Sequence, residues 1–441
     1  MTQALLALAG VILWIIYGTT KLKWPAFFVL LLASVLLALL TGIPISELGE
    51  LLGEGFGKTT ASIGLLILFG SIIGAVLEHT GATQRIAQSL LKYLSRLPLP
   101  YALGTIGYVV SIPVFCDSAF VILSSLNKEL SVRSKVPLLA LTIALSTGLF
   151  AAHTLIPPTP GPLAAAANLG LENVGLLMVL GAPIAFVLVL VGASYAQWVS
   201  KRVDLSVLQP AETALESPTE SSEQQPIVLP SLWLSLAPIV LPIALLALSS
   251  FIPAVQIDPT LALGAGMMVS FALLHNPGVI SFQESIHKGI QTAAPILIIT
   301  AMGGTLGLII SKLELQTYMS NWFEGNQWGL VIVFLIAAFL KTAQGSSTVA
   351  IITASAMVYP LLAAMGLDSE LGKVWVILSI GVGAMTVSHA NDSYFWIVAQ
   401  FGNLTVAEAY RYHTFATLLQ GTVGLLLVMA AYAISSALNL L

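Results

Sequence analysis

Ser388-His389-Ala390-Asn391-Asp392-Ser393 interrupts an otherwise apolar stretch of the chain. Val374 to Val387 ahead of it reads as a membrane helix, and Tyr394, Phe395, Trp396, Ile397 and Val398 resume the apolar run behind it. Polar side chains at membrane depth face protein or water, never lipid. Three further stretches share this character: Val114-Phe115-Cys116-Asp117-Ser118, the proline-rich run His153 to Pro162, and Lys341-Thr342-Ala343-Gln344-Gly345-Ser346-Ser347-Thr348. The expectation is that all four meet at one midplane site, in a secondary transporter for a small organic anion.

Composition supports the membrane reading. Of 441 residues, 57% are hydrophobic and 8% charged, and mean hydropathy is +0.95. A soluble domain carries about 25% charged residues. Apolar runs of about 17–25 residues recur along the chain, which favours helices over the alternating strands of a barrel. The class is therefore an all-α, multi-pass membrane protein. No basic patch suggests nucleic acid, and no metal cluster or cofactor motif is visible. Cys116 is the only cysteine, so an internal disulfide is excluded. Residues 1–20 carry no Lys or Arg, so the N-terminal apolar run reads as a first membrane helix rather than a secretory signal.

Residues 203–230, rich in Ser, Glu, Gln and Pro, read as a polar cytoplasmic linker between residues 1–202 and 231–441. Basic clusters at 21–23, 85–96, 128–135 and 201–202 should all face the cytoplasm. The second and third of these are separated by one apolar segment. A segment that returns to the side it entered is a re-entrant hairpin, so residues 101–127 are expected to form one, bent near Pro113 to Ser118. Residues 329–362 are expected to form a second hairpin. Helix breaks are expected at about 151–164 and 388–394. This count puts both termini on the outer side.

The two halves resemble each other at an offset of 230–236 residues. Gly70-Ser71-Ile72-Ile73-Gly74 matches Gly303-Gly304-Thr305-Leu306-Gly307, Thr59 matches Thr292, Cys116-Asp117-Ser118 falls on Ser346-Ser347-Thr348, His153 on His389, and Asn168 on Asn403. With the hairpins entering from opposite faces, the halves form two inverted-topology repeats, an architecture that places substrate and coupling ions where hairpin tips and broken helices meet.

Asp117 in the first hairpin is the candidate proton carrier. A lone carboxylate at that depth must be paired, hydrated or protonated; capping the following half-helix is the plainer alternative. Gly345, Ser346, Ser347 and Thr348 open another half-helix, whose exposed N–H groups suit a carboxylate. His153 and Thr159 flank freed backbone among Pro157, Pro158, Pro160 and Pro162, a place for a polyhydroxy ligand. Ser118, His389, Asn391, Asp392 and Ser393 complete the substrate-binding candidates. Asp392 is open to three roles: cation ligand, partner of Lys341, or helix cap. Lys341 pairs with an acid, pairs with the substrate anion, or snorkels to the outer interface. Tyr394 and Trp396 read as packing residues.

These motifs resemble the gluconate permease family of proton-coupled sugar-acid symporters. The resemblance covers nearly the whole chain and rests most on Gly55-Phe56-Gly57, Gln84-Arg85-Ile86-Ala87, Phe115-Cys116-Asp117, the proline run 157–162, Gln344 to Ala350, and Ser388 to Ser393 followed by Phe395-Trp396. It implies uptake of gluconate or a related hydroxy acid with a proton through the inner membrane. Similarity to the wider ion-transporter superfamily implies a homodimer with an elevator-type scaffold and a transport domain bearing both hairpins. The chain departs from the family pattern at the expected site: Thr159 replaces a histidine, Lys341 an arginine, and Asp117 a glutamate. The expectation therefore spans gluconate and shorter acids such as glycerate. Sodium coupling through Asp392 and the helix breaks is the alternative. An intramembrane Ser-His-Asp hydrolase is a remote one.

Overall fold

The structure is a computed structural model. It describes residues 24–202, 229–251, 257–275, 282–312, 328–389 and 392–438, with residues 6–7, 10–11, 13–15, 17–18 and 21–22 of the N-terminal segment. Residues 203–228 of the expected linker, and Asn391, lie outside the described residues.

Among the described residues the fold is helical throughout, with no strand. In the first half, α1 (Ala26–Leu40) leads into a long helix, α2 (Ile45–His79), and an amphipathic one, α3 (Ala82–Tyr93). The first hairpin follows as α4 (Leu99–Ser111) and α5 (Cys116–Ser134). The first broken helix is α6 (Leu138–Leu155) with α7 (Pro160–Asn168), and α8 (Val174–Ser200) closes the half. The remaining helices follow residues 203–228. α9 (Leu232–Phe251), α10 (Pro259–Ser270) and the long α11 (Phe282–Ser311) precede the second hairpin, α12 (Gly329–Gln344) with α13 (Ser347–Val358). The second broken helix is α14 (Glu370–Met385) with α15 (Ser393–Phe401), and α16 (Phe415–Ala437) ends the chain. Four segments are long and apolar enough to cross a membrane: Leu138–Asn168, Val174–Ser200, Phe282–Ile310 and Val406–Ala437. α2 adds a fifth if its two parts, bent by 47° between Ala61 and Gly64, count as one span.

Local chemistry explains the interruptions. Pro113 stops α4, and Pro157 and Pro158 stop α6, because a proline offers no backbone N–H and crowds the preceding turn. Thr159 then opens α7, with Pro160 at its first position. Gly345 ends α12 in the left-handed conformation (φ 79°), and the Ser346 hydroxyl accepts from Val349 N to cap α13. In the second break, Val387 holds φ 57°. That costs a β-branched residue on the order of 1–3 kcal/mol. The next residue is pinned from outside: Ser388 N donates to Thr417 Oγ1 on α16 at 3.0 Å.

Two expected boundaries move. The acidic stretch with Glu47, Glu50, Glu54 and Lys58 reads from sequence as a loop ahead of a helix from about Ala61; α2 instead begins at Ile45, so these four residues lie on a helix. α6 runs on to Leu155, so the first break is confined to Ile156–Thr159 and His153 sits in the last helical turn. His389 lies beyond the end of α14, so the two histidines that the offset pairs do not occupy equivalent places.

α2 and α11 pack along each other, with α1 against α11. The hairpins and broken helices form the rest of a continuous core. Helices α4 and α6 cross so closely that a Cβ on Gly148 would overlap the Gly104 carbonyl, which only glycine permits. At the far end of the bundle, Glu370 at the start of α14 accepts from Glu172 N and Asn173 N, both at 3.0 Å, tying the two halves together.

Candidate functional site

The four interruptions meet. Phe115 of the first hairpin packs on His153 of the first break, with ring centroids 6.2 Å apart. Phe120 of α5 packs edge-on against Tyr394 of α15 at 6.2 Å. His153 Nε2 lies 3.4 Å from Thr348 Oγ1 of the second hairpin. The second hairpin and second break are joined by an ion pair, Lys341 Nζ to Asp392 Oδ2 at 2.5 Å.

This pair is the electrostatic centre. Lys341 is 1% exposed and Asp392 3% exposed, so snorkelling is excluded for the lysine. Lys341 also donates to the Gly345 carbonyl at 3.1 Å and lies 5.7 Å from the Phe150 ring centroid. Asp392 takes two of its three expected roles at once. Oδ2 accepts from Ser388 Oγ at 2.5 Å as well as from Lys341, while Oδ1 caps α15 by accepting from Tyr394 N at 3.1 Å. A buried charge is tolerated when it is both paired and hydrogen-bonded, and both conditions hold.

A second polar layer extends from Asp392. Ser388 has one hydroxyl proton and gives it to Asp392, so it accepts from His413 Nε2, 3.3 Å away. In the neutral ring Nδ1 is then the acceptor, facing Ser146 Oγ of α6 at 3.3 Å. Tyr394 OH donates to the Ser146 carbonyl at 2.9 Å. His413 is fully buried, in a π-helical turn, Ala409–Thr414, that leads into α16. Such turns often accompany functional sites. Sequence reading missed this residue. The available signal was a polar stripe on an apolar helix: His413, Thr417 and Gln420 fall at i, i+4 and i+7. All three are buried, and Gln420 Nε2 donates to the Thr147 and Leu188 carbonyls at 3.2 and 2.9 Å. Replacing His413 with Ala should remove the donor to Ser388 and the buried ring packed on Tyr394, and destabilise the protein by roughly 1–3 kcal/mol. Thermal unfolding in detergent measures this; an unchanged transition would show that the layer carries no stability.

The other expected residues are distributed as follows. Asp117 stands in the first turn of α5, partly buried, and does not cap the helix. The Cys116 thiol is 3.7 Å from its Oδ1, and it interacts electrostatically with both Asp392 and Lys341. Ser118 is partly buried one residue on. Ser347 is buried and Ser346 and Thr348 partly so, at the N-terminus of α13. Thr159 is buried and donates to the Ile156 carbonyl at 2.5 Å. His389 Nε2 reaches the Thr342 carbonyl at 3.1 Å, so both histidines touch the second hairpin. Ser393 is exposed and outside the cluster. Tyr394 is a packing residue as expected, buried among Phe120, Phe150 and His413.

The arrangement is one ammonium, Lys341, among two carboxylates, Asp117 and Asp392, at the junction of two hairpins and two broken helices. It holds no nucleophile–base–acid order, since Ser388 sits between His413 and Asp392 instead of next to a base backed by the acid. Among the described residues no group of His, Cys, Asp and Glu could hold a metal ion.

Comparison with known proteins agrees with this picture. The family described as GntP family permease matches residues 2–434. A protein of Haemophilus influenzae described as "Uncharacterized permease" is 31% identical over 409 residues, covering 87% of this chain and 83% of that one. The high-affinity gluconate transporter of Escherichia coli is 28% identical, covering 89% and 90%. Among solved structures, the Alcanivorax borkumensis YdaH transporter, described as having an unusual topology, superposes with a TM-score of 0.68. It covers 93% of this chain and 99% of its own at 13% identity, which is a likeness of fold.

Proposed function

This chain belongs to the GntP family of permeases, and on that premise we propose that it carries a small hydroxylated carboxylate, gluconate, glycerate or a similar sugar acid, across the inner membrane together with a proton. The observation that supports this reading best is the cluster of buried Lys341 and Asp392 with half-buried Asp117, where both hairpin tips and both helix breaks converge.

The charge count gives the coupling. With both carboxylates ionised and Lys341 charged, the cluster carries one net negative charge and repels an organic anion. A proton on Asp117 brings it to neutrality. At an effective dielectric of about 20, a substrate carboxylate about 6 Å from an ionised Asp117 is repelled by roughly 3 kcal/mol. That is on the order of a hundredfold in affinity. Proton and anion therefore favour each other's binding, and linkage makes the effect reciprocal. The anion is received at the N-terminus of α13, where Ser346, Ser347 and Thr348 add hydroxyls to unpaired N–H groups, and His153 and Thr159 face its hydroxyl-bearing chain. Lys341 and Asp392 hold the second hairpin to the second break throughout.

Alternating access follows the inverted-repeat reading: α2 and α11 belong to a scaffold, and the hairpins and broken helices move as an elevator-type transport domain, in a homodimer. Sodium coupling at Asp392 is disfavoured because its oxygens already serve Lys341, Ser388 and the α15 cap. Uptake of labelled gluconate and glycerate into proteoliposomes at fixed pH should be indifferent to sodium and should rise with an inward proton gradient. Accumulation that requires sodium would overturn the proton assignment and leave the carrier.

A further inference from the structure

The cavity beside His153, which Ser71, Phe115 and Thr159 also line, measures about 10 Å³. That is room for one water molecule at most. In this conformation a sugar acid does not rest there. A ligand-sized space exists elsewhere: a cavity of about 290 Å³ between α2 and α11 on one side and α7 and α13 on the other. Its volume is at the lower edge of small-molecule sites, which run from about 300 Å³ upward.

Its walls are mainly apolar, with a few polar groups and one basic group set among glycine, alanine and leucine. Lys58 and Thr59 of α2, Asn168 at the end of α7, and Tyr359 just after α13 line it. Gly304 and Gly307 of α11 also line it, and at Gly304 the close approach of Thr59 leaves no room for a Cβ. Lys58 is the only charged residue lining the cavity, is exposed, and forms no ion pair among the described residues. Asn168 is held in place from behind, donating to the Ile352 carbonyl at 3.1 Å and to Ser355 Oγ at 2.9 Å. One wall therefore belongs to the broken helix and second hairpin, and the other to the long helix pair. The charge asymmetry of the loops places the Ile45 end of α2, and with it this cavity, towards the outer side.

We propose that this cavity is an outer receiving site for the anionic hydroxy acid, occupied before the ligand reaches the hairpin tips. Lys58 takes the carboxylate, and Thr59, Asn168 and Tyr359 offer partners to the hydroxyls. The site rests on the transport reading above and adds to it a place where the substrate is selected by charge and hydroxylation outside the buried cluster. An exposed ammonium with no ion-pair partner among the described residues, beside a ligand-sized cavity, also raises the local concentration of an anion. Because Lys58 would meet the substrate without touching the proton-binding cluster, it contributes uniform binding, which shows in KM rather than kcat.

The test uses the full chain in proteoliposomes with the outer face exposed. Lys58→Cys should raise the KM for gluconate about tenfold, the loss of one charge-assisted contact, with kcat kept. Treatment from outside with a membrane-impermeant cationic methanethiosulfonate restores the charge and should return KM towards wild type. The anionic reagent should raise it further. Cys116, the only native cysteine, is buried, so wild-type protein serves as the unreactive control. A KM that ignores both the substitution and the sign of the reagent would overturn the receiving site while normal wild-type uptake left the transport reading intact. Wild-type protein that moves no hydroxy acid would instead sink the transport reading, and this site with it.

Discussion

Replacing Asp117 with Asn is expected to abolish accumulation of the sugar acid against its gradient while sparing exchange of labelled for unlabelled substrate. Asparagine keeps the size and polarity of the side chain but binds no proton in the working range. With Lys341 and Asp392 paired and residue 117 uncharged, the cluster would then be neutral without a proton, and the anion would bind without one. Steady-state accumulation under an imposed pH gradient should fall to a ratio of about one, because nothing links the anion to the proton any longer. The pH dependence of exchange should flatten. Asp117→Glu, which keeps an ionisable carboxyl, should retain coupled uptake. Full accumulation by Asp117→Asn would remove this residue from the coupling step.

The second large effect concerns Lys341. Its ammonium is 1% exposed and 2.5 Å from a carboxylate that is 3% exposed. Lys341→Met leaves Asp392 buried without its counter-charge. Breaking a buried pair from one side costs roughly 3–5 kcal/mol, because the remaining charge stays desolvated. The double substitution Lys341→Met with Asp392→Asn removes both charges and should recover most of that loss, since Ser388 and the α15 cap still satisfy the side chain at 392. The single variant should not transport, because loss of the ammonium leaves the cluster one unit more negative when the anion arrives. Thermal unfolding of the two proteins side by side checks the first part. If the single and double variants were equally stable, the pair would not be the link between the second hairpin and the second break.

Much of the architecture was legible because breaks are written in proline, glycine and small polar residues. Pro113, the run from Pro157 to Pro162, Gly345-Ser346 and the Ser388–Ser393 stretch each mark a place where a membrane helix stops, and the structure stops a helix at each. Two boundaries misled for identifiable reasons. Glu47, Glu50, Glu54 and Lys58 suggested a loop, yet their spacing of three or four is that of one helix face, with Leu48, Leu51 and Leu52 turned inward. His153 and Thr154 suggested a helix end, yet only Pro157 removes the hydrogen bond that α6 needs.

The site itself was legible as a set of segments and not as a set of contacts. Nothing in the sequence states that Lys341 and Asp392 meet, because their separation is set by how the second hairpin folds over the second break. His413 stayed hidden because its importance comes from burial between Ser146 and Ser388, two residues remote from it in the chain. Ser393, by contrast, shares the polar stretch yet turns outward, one residue past the cap that Asp392 provides.

The most direct measurement is proton movement driven by substrate alone. Protein reconstituted in liposomes with a luminal pH dye and no imposed gradient would be given external gluconate or glycerate. The lumen should acidify in step with uptake of the labelled acid, and a protonophore should dissipate the pH change while uptake continues down its own gradient. Uptake of the acid with no luminal acidification would contradict proton-coupled symport.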